Sequence, residues 1–484
     1  MSHPGLSRST HPAPARPIRV LQFGEGNFLR AFVDWMIHEM NQQTDFDAGV
    51  QIVQPIDRGL VDMLNEQDGL YTVCLTGLKD GQAVQEKILV DCIQGGVNPY
   101  RDFSDYLAFA KKPDLRFIIS NTTEAGIAYV PGDSFADAPP SSFPGKLTRF
   151  LFERYEYFKG ATDKGLVIIP CELIDRNGDQ LKAIVLKYAQ DWSLDPDFTD
   201  WVKNTCTFCN TLVDRIVPGY PKDRVEELYQ ELGYTDRLIT EGERFHLWVI
   251  EGPKSVEKEF PSAEAGLNVV FTDDMTPYRQ RKVRILNGAH TSMVPVGYLY
   301  GLRTVREAVE HPVVGPFVES LIFEEIIPTL DLPEAELKQF AADVLDRFRN
   351  PYIKHFLHSI SLNSTSKYAT RVLPSLLTYV ERKNALPKRL VLGLAATVRF
   401  FRGTDLQGEP IELKDDADRV DFLRKLWTEH AGDYTAIARE VLARTDFWKQ
   451  DLNTVPGLTH LLAEYLEEID QKGMDSAIQK TMAT

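Results

Sequence analysis

A short apolar strand followed at once by a Gly-x-Gly turn and a helix is the feature that most constrains the fold of this chain. Residues 18–23 have the sequence IRVLQF, and a Gly-Glu-Gly triplet at 24–26 follows directly. Apolar residues then recur at three- and four-residue spacings from Asn27, as in a helix. A second apolar run, at 49–53, comes at a distance that suits a βαβ unit. This order is typical of folds that bind dinucleotides, so it predicts an α/β domain at the start of the chain.

The glycine turn supplies candidate cofactor-binding residues. Gly24 permits the tight turn, and Gly26 lets the backbone approach a pyrophosphate at the helix start, where the N–H groups of Asn27 and Phe28 favour an anion. Leu29 replaces the third glycine of G-x-G-x-x-G, which serves helix–strand packing rather than phosphate contact. The turn therefore predicts a cofactor site, with an ordinary tight βα turn as the alternative.

An acid after the second strand distinguishes the two nicotinamide cofactors. In NAD-binding folds this acid holds the adenosine ribose hydroxyls. Asp57 is the candidate, although it lies farther past the glycines than the usual spacing of about 20 residues. Arg58 beside it could instead receive the 2′-phosphate of NADP. We predict NAD as the cofactor.

The pattern of the chain changes near residue 275. Before it, continuous apolar runs such as 115–123 and 165–173 indicate buried parallel strands. Two β-rich runs within 71–96 flank the dipeptide Asp80-Gly81, which is a hairpin signal. After residue 275, long helical patterns dominate to the end of the chain.

This change predicts an α/β chain of two domains, in agreement with its 484 residues. We predict a flexible tail over 1–17, a Rossmann-type dinucleotide-binding domain with an antiparallel excursion over 18–275, and a mainly α-helical domain with the substrate and catalytic residues over 276–484.

The composition excludes several classes of protein. A net charge of −16, from 54 basic and 70 acidic residues, argues against nonspecific nucleic-acid binding and against docking on an anionic membrane. No run approaches the roughly 18 apolar residues of a membrane span, and the N-terminal segment lacks the apolar core of a secretory signal. We expect a cytoplasmic protein without nucleic-acid or membrane partners, and its oligomeric state stays open.

Cysteine usage predicts neither disulfides nor a metal site. Five cysteines in so long a chain do not make a disulfide framework. Cys206 and Cys209 form one CxxC, whereas a structural zinc site needs four ligands. We interpret the pair as two small residues near a helix.

A basic segment at 278–290 holds residues that could move a proton. At about 100° per residue of an α-helix, Lys282, His290 and Asn287 fall at roughly 0°, 80° and 140°, so a long lysine could reach the same pocket as the other two. A lysine can exchange a proton with a carbinol oxygen, an amide can donate to a developing oxyanion, and a histidine can orient the substrate. The alternative is a solvated basic face with an ordinary histidine.

Five motifs in order resemble the polyol-specific long-chain dehydrogenases, also called the mannitol dehydrogenase family. They are the early Gly-x-Gly-x-Phe, NTTEAG at 121–126, VDRI at 213–216, Lys-x-x-x-x-Asn-x-x-His at 282–290 and RFRNP at 347–351. The resemblance covers essentially the whole chain after the tail. It implies a Rossmann-type N-terminal domain, a helical C-terminal domain and a metal-independent oxidoreductase that uses NAD.

The resemblance also implies roles for single residues. Lys282 would be the general acid/base, Asn287 would donate to the reacting oxygen, and His290 would hold the substrate. Asn121 and Thr122 would contact the cofactor.

Departures from the mannitol dehydrogenases indicate a substrate that carries a carboxylate. Arg279 stands three residues before the lysine, where those enzymes have an acid, and a cation suits a carboxylate better than a neutral polyol. Lys367 and Arg371 occupy the segment where the family places substrate-binding cations. Asp214 is a further substrate ligand, or else a buried ion-pair partner of Arg215. We expect a keto-hexuronate or the matching aldonate as substrate, with an epimeric uronate or a neutral polyol as alternatives.

Two points stay open at this stage. The chain has Cys171-Glu172-Leu173 where mannitol dehydrogenases have Cys-Asp-Asn, so the second oxyanion donor is undefined and Asn177 is only a candidate. A nucleotide-binding sensor or structural subunit with an inactive site is the alternative from another functional class, and the intact Lys282 and Asn287 argue against it.

Overall fold

The computed structural model describes residues 3–79, 82–123 and 125–482. The chain divides into two compact units, one of residues 1–76 and 84–275 and one of residues 77–83 and 276–484. The predicted turn at Asp80-Gly81 lies outside the described residues, as does Glu124 of the NTTEAG stretch.

The strands of the described residues lie in the first unit, except for two strand ends. In chain order they are β1 Ile18–Phe23, β2 Gly49–Val53, β3 Tyr71–Lys79, β4 Gln82–Val90, β5 Ile93–Val97, β6 Phe117–Ser120, β7 Val167–Pro170, β8 Thr207–Phe208, β9 Asn210–Asp214, β10 Thr240–Glu243, β11 Leu247–Glu251 and β12 Val269–Thr272. The end of β3 and the start of β4 fall in residues 77–83 of the second unit.

Six of these strands form one parallel sheet in the order β5-β2-β1-β6-β7-β8. Counted along the chain this is the order 3-2-1-4-5-6 of doubly wound dinucleotide-binding domains, so the predicted Rossmann-type fold is confirmed. Every residue of β2, β6 and β7 is buried, because cores cover both faces of a parallel sheet. Phe117 and Ile119 belong to one core and Ile118 to the other, as the alternation of side chains requires.

The predicted antiparallel excursion forms a sheet of its own. Strands β3 and β4 join β10 in the order β10-β3-β4, with β10 parallel to β3. The chain returns to the parallel sheet with β5, which two residues separate from the end of β4. A third sheet has the order β12-β11-β9, in which β11 runs antiparallel to β9.

The prediction of a flexible tail over residues 1–17 is wrong for its described part. Leu6 is only 2% exposed and packs with Leu70 and Tyr234. Arg8 donates hydrogen bonds to the carbonyls of five residues, namely Asp68, Ala13, Pro14, Asp91 and Ile93. The buried contacts of Leu6 and the hydrogen bonds of Arg8 hold this segment on the folded unit, although its Pro-containing sequence is typical of a flexible tail.

The first unit also contains helices, of which Val225–Leu232 packs near Cys74 of β3 and not on the parallel sheet. They are Asn27–Leu29, Arg30–Asp34, Trp35–Gln43, Val61–Glu66, Phe103–Ala108, Phe109–Lys111, Phe143–Phe158, Thr162–Lys164, Asn177–Asp191, Pro196–Thr205, Val225–Leu232 and Lys254–Glu259. The helix that begins after the glycine turn changes to a π-helix over Arg30–Asp34 and returns to an α-helix at Trp35.

The second unit beyond Met275 is helical, as the sequence predicts. Its helices are Thr276–Arg281, Lys282–Asn287, Gly288–Tyr300, Val305–Glu310, Val314–Ser320, Leu321–Ile326, Ile327–Thr329, Glu334–Phe348, Leu357–Ile360, Ser364–Lys367, Tyr368–Val372, Leu373–Lys383, Lys388–Phe400, Ala417–Glu429, Tyr434–Leu442, Thr445–Trp448, Leu452–Thr454, Leu458–Lys472 and Met474–Met482. Three of them, Lys282–Asn287, Leu321–Ile326 and Tyr368–Val372, are π-helices.

Candidate active site

The glycine turn after β1 has a backbone that only glycine tolerates. Gly24 has φ of +117°, and its N–H donates to the carbonyl of Val53 at 3.1 Å. A Cβ at this position would lie 2.9 Å from the carbonyl oxygen of Asn121. The turn thus brings the ends of β1, β2 and β6 together, as a dinucleotide site requires.

A cavity of about 440 Å³ opens over this turn. The predicted residues Gly24, Gly26, Asn121 and Thr122 line it. A Cβ at Gly26 would meet no atom within 4 Å, so this glycine leaves space rather than relieving strain. The cavity lies at the carboxyl ends of the strands, where such sheets bind their ligands.

Three other predicted cofactor residues lie elsewhere in the described structure. The Asn27 side chain accepts a hydrogen bond from Arg30 at 2.8 Å. Phe28 packs against the core and stacks on Phe32, with ring centroids 5.0 Å apart. Asp57 is exposed with its carboxylate 3.9 Å from Arg58, and Arg58 rather than Asp57 lines the cavity. The backbone N–H groups of Asn27 and Phe28 still begin the helix, whose N-cap residue Gly26 makes no side-chain cap.

Further residues line the cavity beyond the predicted set, and one of them, Glu25, belongs to the glycine turn itself. Glu25, Ile56 and Ser142 are among them. Each belongs to a loop that follows a different strand or precedes a helix, so no short motif unites them.

A buried glutamate holds the loop that carries Asn121 and Thr122. Glu172 accepts hydrogen bonds from the Thr122 N–H and hydroxyl, both at 2.9 Å, and from Ser120 at 3.0 Å. Burial raises the pKa of Glu172, and the Thr122 hydrogen bonds oppose that shift. Glu172, which stands where the pattern Cys-Asp-Asn has its Asp, therefore has a scaffolding role.

Asn177 is not available as an oxyanion donor. Its side chain is fully buried and donates to the carbonyls of Pro170 and Glu172, both at 3.0 Å. Its amide oxygen accepts from the backbone N–H groups of Gly178 and Thr211. The amide is needed to join β7 to β9, so this candidate is wrong.

The VDRI motif at 213–216 overlaps the end of β9, and its arginine has a structural role. Arg215 donates to the carbonyls of Ala31, Phe245 and Arg244 and lies over the ring of Trp35, 4.1 Å from its centroid. Burial lowers the pKa of Arg215 to about 9. Asp214 beside it is buried at the end of the strand.

The Lys-x-x-x-x-Asn-x-x-His motif spans a change of helix type. Lys282–Asn287 is a π-helix, and the α-helix Gly288–Tyr300 continues from it. The angles predicted for a continuous α-helix are therefore wrong. A π-helix closes with i→i+5 hydrogen bonds, so residues five apart, such as Lys282 and Asn287, lie closer to one face than they would in an α-helix. Both side chains are half-buried.

His290 lies buried in a group of cationic and aromatic side chains. Its ring stacks on Phe348, with centroids 4.2 Å apart, and meets His355 edge-on at 5.1 Å. Its Nε2 is buried and makes no hydrogen bond within the described part of the chain. Burial lowers the pKa of His290 well below its usual value, and His355, Arg347, Arg371 and Lys367 lower it further. The imidazole is therefore neutral at physiological pH, with one nitrogen available to a ligand.

The predicted cations Lys367 and Arg371 thus lie near His290. Lys367 Nζ donates to the carbonyl of Ile360 at 2.8 Å, and burial with the nearby Arg371 lowers its pKa. Burial also lowers the pKa of Arg371. A Cβ at Gly288 would lie 3.1 Å from the Arg371 carbonyl, so this glycine permits close packing of the α-helix Gly288–Tyr300 against the π-helix Tyr368–Val372.

Other cations around the motif have different surroundings. Arg281 is buried, lies 4.4 Å from the centroid of Phe340 and 3.6 Å from a Glu336 oxygen, and so packs into the unit. Arg279 is half-buried in the preceding helix.

His355 and Arg347 are candidate site residues that sequence reasoning missed. Arg347 is part of the RFRNP motif, which was a signal for it, whereas no pattern marked His355. Only the fold brings His355 to the edge of His290.

Neither metal ligation nor a membrane span emerges from the described residues. Over residues 3–79, 82–123 and 125–482, no three His, Cys, Asp or Glu side chains form a group that could hold a metal ion. Cys206 and Cys209 are buried free thiols, and burial raises the pKa of each to about 12. No helix in the same part of the chain is long and apolar enough to cross a membrane.

Known proteins match the chain along almost its full length. The Mannitol dehydrogenase Rossmann domain matches residues 18–263, and the Mannitol dehydrogenase C-terminal domain matches residues 274–470. An altronate oxidoreductase of Bacillus subtilis is 50% identical over 464 residues, which are 96% of this chain and 95% of that protein.

Two solved structures share the fold at 22% sequence identity. A substrate-free D-sorbitol dehydrogenase gives a TM-score of 0.81 and covers 98% of this chain and 100% of its own. A Pseudomonas fluorescens mannitol 2-dehydrogenase, solved with NAD and D-mannitol, gives 0.66 and covers 99% of each chain.

Proposed function

Since the chain belongs to the mannitol dehydrogenase family, we propose that it is an NAD-dependent oxidoreductase that interconverts D-tagaturonate and D-altronate in hexuronate catabolism. The observation that carries the proposal is the 50% identity with an altronate oxidoreductase over nearly the whole of both chains. In the reducing direction, the keto carbon receives a hydride and the keto oxygen receives a proton.

The first unit would hold the cofactor. NADH supplies the hydride when it is bound. Gly24 permits the turn, Gly26 leaves space for a pyrophosphate at the helix start, and Asn121 and Thr122 line the same cavity. Asp57 and Arg58 would then face the ribose end, and the proposal of NAD over NADP rests on Asp57.

The second unit would carry the acid/base chemistry. Lys282 Nζ would give its proton to the oxygen of the reacting carbon during reduction and take it back during oxidation. Asn287, one π-helical turn further on, would donate from its amide to the same oxygen. The neutral His290 would orient the substrate by a hydrogen bond from or to its buried Nε2.

A carboxylate on the substrate is supported by the charges around His290. Lys367, Arg371 and Arg347 are close enough to affect this ring in a protein whose net charge is −16. We propose that Lys367 and Arg371, with Arg279, bind the carboxylate and hydroxyls, and that Asp214 is a further substrate ligand. A charge-assisted hydrogen bond to a carboxylate contributes about 1.5–3 kcal/mol.

A spectrophotometric NADH assay over four substrates tests the function. Tagaturonate, fructuronate, tagatose and fructose differ by one epimeric centre or by the carboxylate. We expect kcat/KM to be highest for tagaturonate and lowest for the two neutral sugars. Preference for fructuronate would reassign the epimer, and equal turnover of a neutral sugar would contradict the acidic substrate.

A further inference from the structure

The residue between the two glycines of the turn makes a contact that the glycine motif does not explain. Glu25 is 7% exposed, and its Oε1 accepts a hydrogen bond from the Leu60 N–H at 3.0 Å. Leu60 is the N-cap residue of the helix Val61–Glu66, whose backbone N–H groups need acceptors. The carboxylate thus joins the end of β1 to the loop after β2.

Gly59 is the glycine that makes room for this carboxylate. A Cβ at Gly59 would lie 2.0 Å from Glu25 Oε1 and 2.7 Å from the Gln54 side chain. Gly59 is not among the residues with positive φ, so an alanine there would meet a lack of space and not backbone strain. The atom in its way is the end of a flexible side chain, and an alanine would therefore displace the carboxylate from Leu60.

The loop held in this way carries the exposed pair Asp57 and Arg58. Its other supports are a hydrogen bond from Gln54 Nε2 to the Ile56 carbonyl at 2.9 Å and one from the Tyr100 hydroxyl to the Pro55 carbonyl at 3.4 Å. Leu60 is where Glu25 fixes the end of the loop. Glu25 also lines the cavity, and its Oε2 is buried without a hydrogen bond from any described residue. Burial of this oxygen away from water costs free energy.

We propose that Glu25 is a positioning residue for the cofactor, which fixes the loop 54–60 through Leu60 so that the loop is already in place when the adenosine half binds. The inference rests on the proposed NAD dependence. Glu25 acts through the loop and has no part in proton transfer. Gly59 contributes to the same contact, because a side chain at this position would occupy the place of the Glu25 carboxylate and keep it from Leu60.

Amide exchange in the cofactor-free protein tests the contact itself. Hydrogen–deuterium exchange of the Leu60 amide should be faster in Glu25→Ala and in Gly59→Ala than in wild type, since both lose the acceptor. Glu25→Gln keeps an acceptor oxygen and should restore most of the protection. Glu156→Ala, which changes an exposed glutamate of the helix Phe143–Phe158, is the matched control and should leave Leu60 unchanged.

NADH titration of the same variants tests the consequence. Glu25→Ala and Gly59→Ala should each raise the Kd for NADH about tenfold, whereas kcat at saturating NADH should stay within about twofold of wild type. Because both substitutions break one contact, the double variant should bind no more weakly than either single variant. Glu25→Gln should bind NADH nearly as tightly as wild type.

Three outcomes would overturn the inference. They are unchanged Leu60 exchange in Glu25→Ala, faster exchange with unchanged NADH affinity, and additive losses in the double variant. A wild-type protein that binds neither NADH nor NADPH would overturn the proposed function together with this inference, whereas a wild type that binds NADH confines any failure to Glu25.

Discussion

Lys282 and Asn287 are the first and last residues of one π-helical segment. In an α-helix, residues five apart point in directions about 140° apart, whereas the wider turn of a π-helix, with its i→i+5 closure, brings them closer to one face. The segment therefore presents an ammonium group and an amide group on one side of the helix. That is the arrangement needed to protonate an oxygen and to stabilise its negative charge together.

Replacing Lys282 by alanine should reduce kcat in both directions. Loss of a positioned acid/base costs about 10²–10⁴-fold in rate. The Kd for NADH should stay within about twofold, because the cofactor cavity belongs to the other unit. Lys425→Ala, on the helix Ala417–Glu429, is the matched control and should keep wild-type kcat. If Lys282→Ala retains more than a few per cent of kcat, His290 becomes the next acid/base to test.

Gly26→Val should fold normally and lose NADH. A Cβ at Gly26 meets no atom within 4 Å, so the added side chain occupies cavity space without a clash. Calorimetry should show a Kd for NADH that is higher by roughly 100-fold or more, because the pyrophosphate can no longer approach the backbone. Gly132→Val, at an exposed glycine with equally open space, is the control. Wild-type affinity in Gly26→Val would place the cofactor elsewhere.

Arg371→Met and Lys367→Met should each raise the KM for tagaturonate by about an order of magnitude or more, which is the loss of one charge-assisted hydrogen bond. The Kd for NADH should not change. Methionine keeps the apolar stem, so the effect reports the charge and not the packing. Lys383→Met removes an exposed cation from the helix Leu373–Lys383 and should leave KM at its wild-type value. Equal losses for uronates and neutral sugars would argue against carboxylate binding.

The stability of the protein should depend on His246 below pH 6.5. Burial lowers the pKa of His246 to about 3, and its Nε2 accepts a hydrogen bond from the Asn268 N–H at 2.9 Å. Between pH 6.5 and about 3 the unfolded chain binds a proton there that the folded chain does not, so stability rises with pH in this window and falls on acidification.

Urea denaturation of His246→Gln between pH 6.5 and 4.5 measures this effect. The glutamine keeps an acceptor but does not titrate, so the loss of unfolding free energy on acidification should be smaller by at most about 1.4 kcal/mol per pH unit. His460→Gln, at an exposed histidine, should follow the wild-type slope. Parallel slopes for wild type and His246→Gln would show that His246 titrates normally.

Chelation should leave the activity intact. The proposed acid/base Lys282 would need no metal to polarise the carbonyl or to bind its oxygen. Exhaustive treatment with a chelator, followed by elemental analysis, measures this directly. Activity that is lost to the chelator and restored by zinc would contradict the lysine mechanism.

The parts of the fold that depend on local pattern could be predicted from the sequence. Strands β1 and β2 have the predicted bounds, since a continuous apolar run next to a glycine turn specifies a buried parallel strand. The helix Glu334–Phe348 is among the long helices that the pattern after residue 275 predicts. The sequence could not predict that β3 and β4 belong to a separate sheet, because β10, which pairs with β3, lies about 160 residues further on.

The candidate site also has residues that the sequence could predict and residues that it could not. Gly24 and Gly26 have a local signature, and Asn121 and Thr122 follow a strand whose end meets the same edge of the sheet. The role of His355 could not be predicted, because its contact with His290 depends on the path of the loop between the helices Glu334–Phe348 and Leu357–Ile360. The change of Lys282–Asn287 to a π-helix was also hidden, since an apolar period does not reveal an i→i+5 hydrogen bond.

The docked N-terminal segment has a consequence for the way this protein is made. Gly5 forms a β-bridge with Thr235, which is 230 positions later in the chain, and Leu6 packs on Tyr234. Translation at about 5–20 residues per second delays the arrival of these partners by on the order of 10–50 seconds. Gly5 and Leu6 therefore leave the ribosome long before their partners, and the nascent chain must keep Leu6 from other apolar surfaces until then.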